Sequence, residues 1–337
     1  MLIISVPLYI HFIGIEGYGL VGFYTTLAST FAILDMGLSP TIGREIARLS
    51  GCKNSSEEMK ETLSTLELLC YVIMLAIVIF FVLFSHWISV NWFTSDRLDN
   101  EILEKSVLLM GLVISFQFPM NIYSGVLNGL QLQTLFNVVF IIFSTLKGVG
   151  IVLVLWLLDS SIVTFFLSQL IISIIHVITL AFLAKKSLPY QGATKFSKKV
   201  LFRVWKFSSG MTLIAVLSVV LSQIDKIFLS KLLSLEEFGY YSIASVIAIN
   251  LLRLVYPINS AVYPRFTQLI SNSKIKLLKT LYHQSCQLLS AIILPVSAVL
   301  FFFSRDILFM WTKDVDISQN SYLTLSILVL GTCISCL

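Results

Sequence analysis

Long apolar runs alternate with short polar segments along almost the whole chain. Runs of about 20 apolar residues predict membrane-spanning helices, because a helix of that length crosses the hydrocarbon core and satisfies its own backbone hydrogen bonds. Ten spans are predicted, at residues 2–13, 19–42, 66–86, 105–127, 133–157, 161–184, 207–232, 239–263, 281–303 and 321–337. The first is short and lacks the basic start and cleavage site of a signal peptide. We expect it to be the remainder of a first helix, and we expect the tenth to be cut short as well.

The composition supports a membrane protein and excludes most soluble classes. Hydrophobic residues make up 57% of the chain and charged residues 12%, and the mean hydropathy is +0.92. Such a chain has more apolar surface than one water-soluble core can hide. Its five cysteines and four histidines are scattered, so neither a disulfide framework nor a metal site is predicted, and the CxxC at Cys333 and Cys336 is a weak signal. No cofactor is expected.

The charges of alternate loops predict the orientation of the chain. Lys and Arg are concentrated near residues 44–60, 185–206 and 265–279, whereas acidic residues dominate the loops between these. By the positive-inside rule the three basic loops are cytoplasmic. The net charge of +5 is therefore a signal of topology, and no nucleic-acid partner is expected.

An internal repeat predicts two lobes. Residues 13–19 resemble residues 233–239, with an acid at Glu16 and Glu236 and a glycine at Gly19 and Gly239. The two copies are six spans apart, so they share one orientation, which is typical of parallel repeats in transporters with a cavity between the lobes. The predicted divisions are an N-terminal lobe at 1–186 with six spans, a basic cytoplasmic linker at 187–206 and an incomplete C-terminal lobe at 207–337 with four.

Five ionisable residues fall inside predicted spans: Asp35, Lys147, Asp225, Lys226 and Arg253. Each would cost about 2.5–3.5 kcal/mol facing lipid at the middle of the bilayer, so they are expected to face an interior or a wet cavity. The charges of these five residues sum to +1, which favours an anionic substrate. Structural pairing remains an alternative at each position, above all for Asp225 beside Lys226, and one of the acids is a candidate proton carrier.

A polar stripe marks the fourth predicted span. Gln117, Asn121, Ser124 and Asn128 recur at intervals of four, three and four residues, which places them on one face of a helix. Such a stripe either lines a water-accessible groove or hydrogen-bonds a neighbouring helix. The sequence leaves both interpretations open.

Two segments carry a family resemblance. Residues 34–48, LDMGLSPTIGREIAR, and residues 222–241, SQIDKIFLSKLLSLEEFGYY, resemble the second-helix and seventh-helix motifs of the bacterial polysaccharide transporters, the Wzx-like lipid-linked oligosaccharide flippases. The resemblance implies the all-α fold of multidrug and toxin extruders, with two six-helix lobes, about ten of the twelve spans being present here. It also implies a multi-pass protein of the bacterial inner membrane. The family's charged positions fall on Asp35, Asp225 and Lys226.

The resemblance implies a substrate and a mechanism. The substrate is an undecaprenyl-pyrophosphate-linked oligosaccharide, an O-antigen or capsular repeat unit, carried from the cytoplasmic to the outer leaflet by alternating access. The expected phosphate contacts are Lys226, at one of the family's charged positions, and Arg253 and Lys147, which come from the analysis of the spans alone. The expected sugar contacts are Gln117, Asn121 and Asn128. Coupling to H+ or Na+ is expected at Asp35 and Asp225.

Further candidate partners are membrane lipid, a polysaccharide polymerase and chain-length proteins. The alternatives are a cation-coupled multidrug exporter of the same fold and a membrane enzyme of polysaccharide assembly. The exporter is disfavoured because its substrates are mostly organic cations, whereas the ionisable residues inside the predicted spans have a net positive charge. The enzyme is disfavoured because no predicted outer loop is long enough for a catalytic domain, so no enzymatic activity and no catalytic residue are expected.

Overall fold

A computed structural model describes residues 5–35, 37–51, 56–189, 192, 196–271 and 274–336, and these residues form helices and turns with no strand. Cys52 lies outside the described residues. The α-helices are α1 Val6–Phe31, α2 Leu38–Ser50, α3 Ser56–Asn91, α4 Asn100–Ser115, α5 Gln117–Gly129, α6 Gln133–Thr145, α7 Ile151–Leu157, α8 Ile162–Ser187, α9 Lys198–Leu232, α10 Leu235–Asn250, α11 Leu252–Ser271, α12 Ile275–Phe302, α13 Ser304–Thr312 and α14 Val315–Cys336. A 3-10 turn at Ala32–Asp35 follows α1, and a π-helical turn at Leu146–Gly150 joins α6 to α7.

Within the described residues, eight helical segments are long and apolar enough to cross a membrane. They are Val6–Asp35, Ser56–Asn91, Asn100–Gly129, Gln133–Leu157, Ile162–Ser187, Leu235–Asn259, Ile275–Phe302 and Val315–Cys336. Helix α9 has 35 residues, about 52 Å at 1.5 Å per residue, and so also exceeds the hydrocarbon thickness of about 30 Å. The predicted all-helical polytopic membrane fold is confirmed.

Helix α3 shows why these segments suit a lipid environment. Large apolar side chains stay exposed along its length at Leu68, Val72, Leu75, Ile79, Val82 and Leu83. A soluble protein rarely leaves so continuous an apolar face in contact with water. In a bilayer the same face is in its preferred solvent.

The first two predicted spans need correction at their boundaries. They are joined in α1, which is interrupted at Gly14, where φ is 72° and ψ is 175°. Only glycine adopts such a backbone conformation without strain. The second span also ends earlier than residue 42, because the 3-10 turn closes at Asp35 and Gly37 takes a left-handed conformation with φ of 70°. The residues beyond it form the separate amphipathic helix α2.

The chain folds into two compact units, one ending at Leu235 and the other comprising Glu236–Leu337. Helix α9 belongs to the first unit, since it packs against α1, α2 and α3. It begins at Lys198, inside the predicted linker 187–206, of which residues 190–191 and 193–195 lie outside the described residues. The division into lobes at 1–186 and 207–337 stays a prediction.

The two units repeat an order of elements. In the first unit α1 ends at the turn around Asp35 and α2 follows, while in the second α10 ends at Asn250 and α11 follows at Leu252. Helix α4 then begins just after Asp99, and α14 begins just after Asp314. Asp314 Oδ1 accepts hydrogen bonds from the backbone N–H groups of Asp316 and Ile317. Such a cap satisfies the unpaired donors at a helix start.

Candidate functional site

Helices α2 and α5 approach each other closely because glycine faces glycine. A Cβ atom on Gly125 would lie 2.5 Å from Ile42 Cγ2 and 2.8 Å from the carbonyl oxygen of Ser39, and one on Gly129 would lie 2.5 Å from the carbonyl oxygen of Gly43. Small residues at this spacing allow the backbones of membrane helices to touch. The contact positions the walls of a groove beside it.

This α2–α5 groove has a volume of about 430 Å³. Its polar lining comes from both helices: Ser39, Arg44, Asn121, Ser124 and Asn128. Three residues of the predicted polar stripe, Asn121, Ser124 and Asn128, therefore line a groove, which is one of the two interpretations that the sequence left open. Among the lining residues Arg44 is the only charged one, so the groove combines one guanidinium with amides and hydroxyls.

Arg44 was missed as a site residue. Its charge counted toward a cytoplasmic loop at 44–60, but the structure places it in the middle of α2, with its side chain exposed in the groove. The available signal was periodicity: Pro40, Gly43, Arg44 and Ala47 recur at helical spacing and form the face of α2 that lines the groove.

Asp35 lies at the edge of the α2–α5 groove. Its carboxylate accepts hydrogen bonds from Ser39 Oγ at 2.7 Å and from the Ser39 backbone N–H at 3.3 Å. The side chain of Asn121 lies close to the same carboxylate. The carboxylate therefore holds the groove-lining Ser39, while its expected role in ion coupling stays a prediction.

A second pocket, of about 410 Å³, lies between α1, α5 and α8. It is lined by Tyr24, Thr25, Ala28, Ser29, Ala32, Gln117 and Gln169, none of which is charged, and is called the neutral pocket here. The side chains of Tyr24, Gln117 and Gln169 lie close together in it. The predicted stripe on α5 is thus divided, since Gln117 faces the neutral pocket and its three other members face the α2–α5 groove.

The other charged candidates do not line either cavity. Lys147 is half-buried on the π-helical turn, where its backbone carbonyl accepts a hydrogen bond from the Tyr9 hydroxyl at 2.7 Å. Lys226 is half-buried on α9 beside the exposed Asp225, and Arg253 is exposed in the first turn of α11 in the second unit. Contact of Lys147, Lys226 and Arg253 with substrate stays a prediction.

One charged cluster has a structural role. Glu67 Oε1 accepts hydrogen bonds from the hydroxyls of Tyr123 and of Tyr71, the latter at 3.2 Å, and forms an ion pair with Lys185 Nζ at 2.5 Å. These contacts tie α3, α5 and α8 together.

Among the described residues no group of three or more His, Cys, Asp or Glu side chains could hold a metal ion.

Comparison with known proteins agrees with this architecture. Residues 1–270 match the family described as polysaccharide biosynthesis protein, and residues 211–337 match the MatE family. A Shigella flexneri relative named "Putative O-antigen transporter" is 23% identical over 322 residues, 95% of this chain and 74% of the relative. An inward-facing multidrug resistance MATE family transporter of the MOP superfamily superposes with a TM-score of 0.80 at 14% identity, over 99% of this chain and 79% of the other. A MATE protein crystallised with MaL6 superposes over the same shares with a TM-score of 0.58 at 13% identity.

The chain therefore has the helical membrane fold of these MATE neighbours. Since the polysaccharide biosynthesis match covers most of its length, the chain belongs to that family. The resemblance found in the sequence is therefore confirmed, as is a multi-pass location in the bacterial inner membrane.

Proposed function

We propose that this protein carries a lipid-linked oligosaccharide, built on undecaprenyl pyrophosphate, from the cytoplasmic to the outer leaflet. The observation that carries the proposal is the α2–α5 groove, in which Arg44 stands among the side chains of Ser39, Asn121, Ser124 and Asn128. A member of a polysaccharide biosynthesis family needs such a polar shelter, because sugars and phosphates lose their hydrogen bonds to water when they enter hydrocarbon.

The chemistry of the groove suits the headgroup. A guanidinium donates two parallel hydrogen bonds to phosphate oxygens and stays charged at any physiological pH. Amide and hydroxyl groups both donate and accept, as sugar hydroxyls do. Arg44 would therefore hold the pyrophosphate, Asn121 and Asn128 would bind the sugars, and the prenyl tail would stay in lipid. Lys147, Lys226 and Arg253 are further candidates for neutralising phosphate.

Asp35 supplies a route for coupling transport to an ion. Ser39 donates a hydrogen bond to its carboxylate, Asn121 lies close to it, and both residues line the groove. A proton or Na+ on Asp35 would release these donors to the substrate, and by linkage the substrate would raise the affinity of Asp35 for the ion. Asp225 is the second candidate for coupling.

The test uses a bacterium deleted for its own flippase and the variant Arg44→Gln. A charge-assisted hydrogen bond contributes about 1.5–3 kcal/mol, so transport should fall at least about tenfold. Surface polymer and the lipid-linked unit retained in the inner leaflet are measured together with the amount of inserted protein. Arg305→Gln, an exposed arginine on α13, is the matched control. Unchanged transport in Arg44→Gln would contradict the groove assignment.

A multidrug exporter is the second candidate function. It is favoured by the MatE match at residues 211–337 and by the structural neighbour described as a multidrug resistance transporter. An organic cation would be repelled by Arg44, which disfavours this function for the α2–α5 groove. Increased resistance of cells to cationic dyes, with no restored surface polymer, would support the exporter and refute the flippase.

A further inference from the structure

We infer that a pocket between α11 and α12 binds an anionic phospholipid of the cytoplasmic leaflet. The inference goes beyond the proposed function, because this lipid stays at the protein and is not the transported substrate. It gives a binding role to the basic segment near residues 265–279, which so far served only as a signal of topology.

The pocket lies in the second unit, where α11 ends and α12 begins. It has a volume of about 270 Å³ and is lined by Phe266 and Ile270 of α11 and by Leu278, Lys279 and Tyr282 of α12. The lysine has an apolar stem that lies along such a wall while its ammonium stays in water. A pocket of this size is smaller than most sites for drug-sized ligands. It suits a segment of one hydrocarbon chain.

The position of the pocket along α12 makes the bilayer its neighbour. Helix α12 is a segment long and apolar enough to cross a membrane, and the pocket lies near its start, at the end that the charge pattern predicts to be cytoplasmic. Ile270, Ile275 and Leu277 are exposed there. Lysines and exposed apolar side chains at the start of a span are typical of the level where headgroups lie. An acyl chain can therefore enter the pocket from the lipid.

The charge beside the pocket is positive and has no acidic counterpart nearby in sequence. Lys274, Lys276 and Lys279 are all exposed, while residues 238–305 contain no Asp or Glu. Because Lys276 and Lys279 are three residues apart on one helix, their like charges repel each other. A phosphate bound between them would offset this repulsion. Lysines next to a membrane span also attract the anionic lipids of the cytoplasmic leaflet.

The apolar pocket and the lysines together narrow the class of ligand. An acidic peptide would pair with the lysines, but it would bring polar backbone groups into an apolar pocket at a cost in free energy. A zwitterionic phospholipid would fill the pocket, but its headgroup has no net charge for the lysines to attract. An anionic phospholipid meets both requirements, with an acyl chain in the pocket and its phosphate at Lys279.

The test measures phospholipid binding to the purified full chain by native mass spectrometry. Dioleoyl phosphatidylglycerol and dioleoyl phosphatidylcholine are titrated separately, and wild type should bind phosphatidylglycerol more tightly. Lys279→Gln should weaken that binding about fivefold and should leave the affinity for phosphatidylcholine and the melting temperature unchanged. Lys313→Gln removes an exposed lysine after α13 of the same unit and is the matched control, which should change neither affinity.

A second variant tests the apolar half of the site. Tyr282 is 56% exposed, so Tyr282→Ser should fold normally, although it removes the ring that lines the pocket. It should weaken the binding of both phospholipids, because both have the same acyl chains. Tyr322→Ser on α14, where the tyrosine is 42% exposed and does not line the pocket, should bind both as wild type does.

Three results would overturn the inference. Equal affinity of wild type and Lys279→Gln for phosphatidylglycerol, or equal affinity of wild type for the two phospholipids, would show that the lysines do not select an anionic headgroup. Unchanged binding in Tyr282→Ser would show that the pocket does not hold the acyl chain. Displacement of phosphatidylglycerol by hexaglutamate at equal concentration would identify the site as one for an acidic peptide.

Discussion

The contact of Gly125 with α2 makes the spacing of the α2–α5 groove sensitive to a single methyl group. The Cβ of an alanine there would lie 2.5 Å from Ile42 Cγ2 and 2.8 Å from the Ser39 carbonyl oxygen, whereas contacts under 3.0 Å essentially never occur. The Ser39 oxygen is backbone and cannot rotate away. We therefore expect Gly125→Ala to push α2 away from α5 and to disturb both walls of the groove.

The change in the free energy of unfolding that Gly125→Ala causes has two opposing contributions. Inserting a methylene into a packed interior costs about 1–3 kcal/mol, while alanine in place of glycine inside a helix gains about 1 kcal/mol. Gly331 provides the matched control, because it lies inside α14 and a Cβ there would meet nothing within 4 Å. Gly331→Ala keeps the helix gain alone, so the difference between the two variants isolates the steric cost of about 1–3 kcal/mol.

The assay is unfolding of the purified protein in mixed micelles with increasing SDS, followed by circular dichroism, with transport measured in cells. Gly125→Ala should unfold at a lower SDS fraction than Gly331→Ala and should transport less. Equal midpoints for the two variants would mean that α2 and α5 do not pack as closely as the structure shows, and would refute the reasoning.

Two further predictions concern helix packing. Glu67→Gln removes one ion-pair partner of Lys185. Because Lys185 is 43% exposed, the expected loss in the free energy of unfolding is about 1–3 kcal/mol, less than for a fully buried pair. Glu67→Gln combined with Lys185→Met should regain part of it in the same SDS titration, and no recovery would contradict an ion pair. Ser161→Ala removes the side-chain acceptor for the Thr164 backbone N–H at 3.2 Å and should cost about 1 kcal/mol in the free energy of unfolding. Equal stability of Ser161→Ala and wild type in the same SDS titration would contradict the cap.

The helices themselves were predictable from hydropathy. The fifth predicted span, 133–157, coincides with the structural segment Gln133–Leu157, and the sixth, 161–184, lies within Ile162–Ser187 apart from its first residue. The reason is the lipid environment. An unpaired backbone N–H or C=O group in hydrocarbon is so costly in free energy that a long apolar run forms a helix, which pairs these groups within the run. The error at residues 36–42 arose because α2 continues the apolar pattern of α1 after a turn at Gly37.

The polar stripe on α5 was also predictable, since it depends only on helical periodicity. Its division between two cavities was not, because that depends on which neighbours stand beside each turn: α2 beside Asn121 and Asn128, and α1 and α8 beside Gln117. Gln169 carries no signal in the sequence for the same reason.

The sequence alone determined that this chain is an all-helical membrane protein of the polysaccharide biosynthesis family, because hydropathy, loop charge and local motifs are properties of consecutive residues. Only the tertiary structure decided that Arg44 belongs to a groove and that Asn121 of α5 lies beside Asp35. A site made by packing separate helices depends on which faces meet and how closely. In this protein the glycines at 43, 125 and 129 allow that approach, and their effect appears only when both helices are in place.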